Sequence, residues 1–162
     1  MSGQLTNAWE LLEAGGVSRD GDAPAPYRPL AVPAAAEELV EQLAAAVRGA
    51  DAKQVLVWDE LDQVVLGQWL AAQLGVPVAR AYDADGLVAI REETRLGQRV
   101  LLVADTVRDP RTLAAMRGIV EQQGSTVAGI AVLIGTAELR GAAEDDPVYA
   151  LVDWEQRGGE AS

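Results

Sequence analysis

The run Arg99-Val100-Leu101-Leu102-Val103-Ala104 constrains the fold more than any other part of the chain. Large aliphatic residues without polar alternation suit a strand buried on both faces, which is the habit of parallel sheets covered by helices. After a short loop, Asp109 offers an N-cap and Pro110 a first position for a helix that Gly124 should stop. The pattern has an earlier copy: an apolar strand over 54–58, a polar turn at Asp59-Glu60, and a helix through Leu74 closed by Gly75. Further strands are expected over 76–82, 87–91, 127–134 and 148–154, with a turn at Asp83-Ala84-Asp85-Gly86. Such alternation predicts right-handed crossovers and an α/β fold: a mostly parallel twisted sheet with helices on both faces, a Rossmann-like three-layer arrangement.

Upstream, Leu5, Ala8, Trp9 and Leu12 have helical spacing over 5–13 and Gly15-Gly16 ends it. Residues 17–33 hold four prolines and little periodicity, an extended arm. Pro33 then opens a helix to Arg48, with Ala36, Val40, Leu43 and Val47 on one stripe and Gly49 at its end. One domain over 1–154 is expected, with a loose tail over 155–162.

Composition removes several chemistries. The 162 residues include no cysteine and no histidine, so thiolate nucleophiles, disulfides, zinc sites and imidazole acid–base chemistry are excluded. Catalysis would fall to carboxylates, arginines, hydroxyls or the backbone. A net charge of −12 disfavours nucleic-acid backbones and anionic membranes as partners. No apolar run approaches the ~20 residues of a membrane span, and no leader pattern opens the chain, so a cytoplasmic protein is expected.

In open parallel sheets ligands bind beyond the C-terminal strand ends. Three loops lie there, over 58–63, 80–86 and 104–112. The last carries Ala104-Asp105-Thr106-Val107-Arg108-Asp109-Pro110-Arg111-Thr112. With its apolar lead-in, Val100 to Val103, this stretch resembles the signature of the type I phosphoribosyltransferases. Leu11-Leu12-Glu13-Ala14-Gly15 and Arg80 resemble the orotate branch most.

The resemblance implies a phosphoribosyltransferase-like fold and a homodimer. It also implies a site in which paired acids face ribose hydroxyls and loop amides cradle the 5-phosphate of phosphoribosyl pyrophosphate (PRPP). Against that pattern Ala104 replaces the first acid, and Arg108, Asp109 and Pro110 stand where hydroxyls and glycine are expected, so the PRPP motif reads as degenerate. Pro110 lacks an amide hydrogen, and Asp109 puts negative charge at a helix end suited to anions. The loop that would receive pyrophosphate is Asp59-Glu60-Leu61-Asp62-Gln63, acidic and without glycine. Ala81 stands in place of a lysine, and no basic hood follows.

The candidate ligand residues are therefore Asp105, Thr106, Arg108, Asp109, Arg111 and Thr112, with Asp59, Glu60 and Asp62 as a remnant pyrophosphate loop and Arg80 as an anion candidate. Each has a plainer alternative. Asp105 reads equally as a remnant ribose or metal ligand and as a cap. The Asp59, Glu60, Asp62 group reads as a cation site or as helix-capping surface, and the arginines as an anion clamp or as surface ion pairs. Trp58 and Trp69 read as core or subunit interface.

The leading expectation is a catalytically inactive or much-altered orotate-type homologue, a regulatory, ligand-sensing or partner subunit in nucleotide metabolism that takes a nucleotide or nucleobase. An active phosphoribosyltransferase is the alternative, and a structural interaction module a further one. No cofactor is expected, with Mg2+ entering only in the active case.

Overall fold

A computed structural model describes residues 7–92 and 97–158. The elements in chain order are α1 (Ala8–Ala14), α2 (Pro33–Val47), β1 (Gln54–Trp58), α3 (Leu61–Leu74), β2 (Val78–Ala84), β3 (Leu87–Ile90), β4 (Arg99–Ala104), α4 (Pro110–Gln122), β5 (Thr126–Gly135), α5 (Ala137–Ala142) and β6 (Val148–Asp153). The six strands form one sheet in the order β3-β2-β1-β4-β5-β6. All neighbours are parallel except β2 and β3. The α/β expectation therefore holds.

Successive side chains of the central strands divide between two cores. Val55 and Val57 of β1 and Leu101 and Val103 of β4 pack with Leu12, Leu39, Leu43, Leu66 and Leu70 from α1, α2 and α3. Leu56, Val100 and Leu102 pack on the other face with Leu113, Met116 and Val120 of α4 and Leu139 of α5. Where α3 crosses β1, Gly67 allows contact that no larger residue would: an added Cβ would lie 2.2 Å from Val57 Cγ1. Gly75 closes α3 in the left-handed conformation at φ 70°, with its N–H on Ala71 and Ala72 carbonyls.

The expected elements are present, with shifted edges. The expected 76–82 strand runs instead over Val78–Ala84, because Asp83 and Ala84 pair with Val88 and Leu87 and leave only Asp85-Gly86 to turn. Both turn residues have positive φ, 52° and 86°, the conformation a two-residue hairpin demands. Helix α5 had no counterpart in the sequence reading. It is six residues long, and Thr136 caps it by accepting from the Leu139 N–H. The Leu5 end of the first expected helix lies outside the described residues.

The arm over 17–33 is extended and held. Val17 and Tyr27 are buried, and the Arg28 N–H donates to the Gly15 carbonyl. The tail is anchored as far as Arg157, whose guanidinium donates to the Arg19, Gly21 and Trp154 carbonyls and covers the Trp154 ring.

Candidate functional site

From β1 the chain passes through α3 to β2 on one side, and β4 lies on the other. The sheet thus changes direction between β1 and β4, the place where open α/β sheets bind ligands. At the C-terminal ends of these two strands lies a cavity of about 210 Å³. Leu102, Leu113, Met116 and Ile130 line it below, and Trp58, Glu60, Gln63, Thr106, Arg108, Asp109 and Thr112 supply its polar and aromatic lining. A single water needs roughly 10–15 Å³ on such a scale, so the space admits a larger group. Five of the ten candidate residues, Glu60, Thr106, Arg108, Asp109 and Thr112, meet there.

Asp105 follows β4 directly and is 1 % exposed. Its carboxylate accepts from Gln63 Nε2 at 2.8 Å, from its neighbour Thr106 N–H at 2.7 Å and from the Tyr27 N–H at 3.0 Å. Arg108 closes the set with Nη2 at 2.8 Å and Nη1 at 3.3 Å. Gln63 answers in kind, accepting the Asp105 N–H at 3.0 Å. The Asp105 carbonyl takes the N–H groups of Leu133 and Ile134 in β5. Thr106, 4 % exposed, borders the cavity with an Oγ1 that is buried and has no hydrogen-bond partner.

The first turn of α4 has little main-chain capacity left for an anion. Pro110 has no N–H, the Arg111 N–H donates to Asp109 Oδ1 at 2.9 Å, and the Thr112 N–H to the Asp109 carbonyl at 3.0 Å. The Arg111 guanidinium folds back onto the same carboxylate at 3.1 and 3.2 Å. That contact, with the main-chain bond behind it, holds the Asp109 carboxyl below its usual range and raises Arg111 in return.

The β1 loop is less repulsive than its sequence suggests. Asp59 is met by Arg80 at 3.5 Å and by Arg91 Nε, while Arg91 stacks 4.0 Å over the Tyr82 ring. Arg80 is also tied to Glu92, with Nε 2.6 Å and its N–H 2.8 Å from the carboxylate, and the Glu92 bond is the main reason its pKa rises. The three arginines expected as a clamp are thus on separate carboxylates: Arg80 on Glu92 and Asp59, Arg108 on Asp105, Arg111 on Asp109. Glu60 stands at the N-cap of α3 and Asp62 in its first turn, where negative charge favours the helix. Among the described residues no three carboxylates gather as a metal site. Nor is any helix among them long and apolar enough to cross a membrane.

No family model matches the chain. A curated adenine phosphoribosyltransferase from Synechococcus sp. (strain JA-2-3B'a(2-13)) is 34% identical over 127 residues, covering 67% of this chain and 73% of the relative. The chain belongs to the adenine phosphoribosyltransferase family.

Solved structures agree on the fold. The adenine phosphoribosyltransferase of Thermoanaerobacter pseudethanolicus superposes with a TM-score of 0.72 at 19% identity, over 90% of this chain and 99% of that one. The Saccharomyces cerevisiae enzyme, solved with adenine and an imino-altritol bisphosphate, gives 0.73 at 18%, over 90% and 98%.

Two expectations are corrected by this membership. The resemblance to the orotate branch rested on a five-residue stretch in α1 and on Arg80, whereas the adenine-type match extends over 127 residues. The inactive orotate-type regulator is overturned with it, since the match to a curated adenine phosphoribosyltransferase fits the active-transferase alternative better. The match does not support a degenerate PRPP motif, although the first turn of α4 keeps the shortage of main-chain donors that Pro110 predicts. Asp59 is neutralised by arginines, and the cavity at β4 carries both a guanidinium and an unpaired hydroxyl.

Proposed function

We propose that the chain is an active phosphoribosyltransferase that joins adenine to the ribose of PRPP, releasing pyrophosphate and forming AMP. A nitrogen of the base attacks C1 of the sugar, the bond from C1 to the pyrophosphate oxygen breaks with its electron pair leaving on pyrophosphate, and the base gives up a proton. The observation that carries this reading is the 34% identity over 127 residues to an adenine phosphoribosyltransferase. The cavity at the β1 and β4 ends supports it by position and by chemistry. Arg108 offers a guanidinium to a phosphate, Thr106 and Thr112 offer hydroxyls, and Trp58 with Leu102, Met116 and Ile130 offers apolar surface.

PRPP chemistry in enzymes of this type brings Mg2+. The donors here do not suit a protein-held cation: Asp105 already accepts from four residues, and the neighbouring acids are spent on arginines or helix ends. No step is therefore assigned to one. The same reading carries a cytoplasmic homodimer, which sedimentation would check.

The deciding assay follows AMP by chromatography after incubation with PRPP, Mg2+ and adenine, beside hypoxanthine and orotate. AMP from adenine alone is expected. Orotidine monophosphate as the favoured product, or no nucleotide from any base, would reject the reading.

A further inference from the structure

An acid at the position of Asp105 would be expected to receive ribose hydroxyls, but its surroundings give it other work. An ionised carboxylate has about four acceptor sites. Asp105 already serves Gln63, Thr106, Tyr27 and both terminal nitrogens of Arg108. Among these partners only Arg108 is substantially exposed, at 41% of its side chain. A guanidinium carries five N–H groups, and Asp105 uses two, so three remain for a ligand.

The start of α4 shows why that matters. Pro110 and the two bonds to Asp109 remove the main-chain donors that would otherwise receive an anion at residues 110–112. Arg111 is closed on Asp109. Arg108 is therefore the arginine that lines the cavity and still has hydrogens to offer. The buried, unpartnered Oγ1 of Thr106 at the same cavity independently points to a ligand with polar atoms.

We propose that Asp105 is a positioning residue: it grips Arg108 with both carboxylate oxygens and presents the remaining N–H groups to the phosphate of a sugar phosphate, instead of binding the sugar hydroxyls itself. The choice of a sugar phosphate rests on the transferase reading. The arm takes part, because the Tyr27 N–H shares the Oδ2 atom that holds Arg108 Nη2.

Calorimetry with inorganic phosphate, ribose 5-phosphate and ribose tests the proposal on the wild type, Arg108→Ala, Asp105→Asn and the double variant. Loss of Arg108 should weaken both phosphate-bearing probes tenfold or more, the scale of a charge-assisted hydrogen bond. Asp105→Asn should weaken the same two probes, add nothing in the Arg108→Ala background, and leave ribose unaffected. Additive losses, inorganic phosphate spared by Asp105→Asn, phosphate affinity intact in Arg108→Ala, or a wild type that binds neither phosphate probe would each overturn it.

If Asp105→Asn does not fold, Arg108→Lys decides the matter. Its single ammonium cannot be held by two oxygens in a fixed plane, so phosphate affinity should fall, and wild-type affinity would overturn the proposal. Turnover is scored separately. Coupled phosphate losses in a protein that makes no AMP sustain this inference and reject the transferase reading, whereas AMP formation with additive losses does the reverse.

Discussion

Replacing Tyr27 with phenylalanine should stabilise this protein and flatten its response to alkali. Tyr27 is fully buried, its ring lies against Gly15 so closely that a Cβ there would sit 2.0 Å from Cε2, and its hydroxyl has no partner. Burying an unpaired hydroxyl costs roughly 1–3 kcal/mol. Phenylalanine removes that cost while keeping the ring and the main-chain bond to Asp105, so a gain of about 1 kcal/mol or more is expected at neutral pH. In a chain of this length that raises Tm by about 2–4 °C per kcal/mol.

Burial also pushes the Tyr27 phenol from 10.0 up to about 12. The unfolded chain then releases this proton first, so the associated stability is complete below pH 10 and is lost as pH rises toward 12. Two pKa units correspond to about 3 kcal/mol. Urea unfolding followed by far-ultraviolet circular dichroism, repeated from pH 10 to pH 12, should show the wild type losing about 2 kcal/mol of that amount while Tyr27→Phe is spared the loss. Parallel alkaline curves, or a variant less stable than wild type at neutral pH, would refute the reasoning.

Three further outcomes follow from contacts described above. Gly67→Ala drives a Cβ into Val57 and should cost about 1–3 kcal/mol by urea midpoint, because both elements are packed on the core. Gln63→Ala leaves the Asp105 N–H and one of its carboxylate sites unmet, an expected loss of about 2 kcal/mol or more measured the same way. Thr106→Val removes a buried hydroxyl that has no protein partner; Tm should hold or rise while affinity for ribose 5-phosphate falls, and unchanged affinity would show that the hydroxyl faces no ligand.

Strands β1 and β4 were legible to the residue because both are buried on two faces, so composition alone marks them. Edge elements were harder. Asp83 and Ala84 look like turn residues, and only pairing with β3 makes them strand, while α5 is too short for a periodic signal. At the site, Asp105 and Arg108 were identifiable from their place after β4, but not their relation to the rest. Tyr27 lies 78 residues from Asp105 in sequence and Gln63 lies 42, and no local pattern announces a bond over such separations. Three acids in the β1 loop looked prohibitive until Arg91, from the far side of the hairpin, was seen beside Asp59.

The arm has one more consequence. Pro24, Pro26 and Pro29 cannot donate, and the two adjacent positions between them, Tyr27 and Arg28, spend their amides on Asp105 and on Gly15. Because both ties run through the peptide unit, a change of side chain that still fills the buried space beside Gly15 leaves the bond to Asp105 in place, whereas a further proline at position 27 would cut it. The path of this segment over the sheet is therefore fixed twice, by main-chain ties at residues 27 and 28 and by the buried side chains of Val17 and Tyr27.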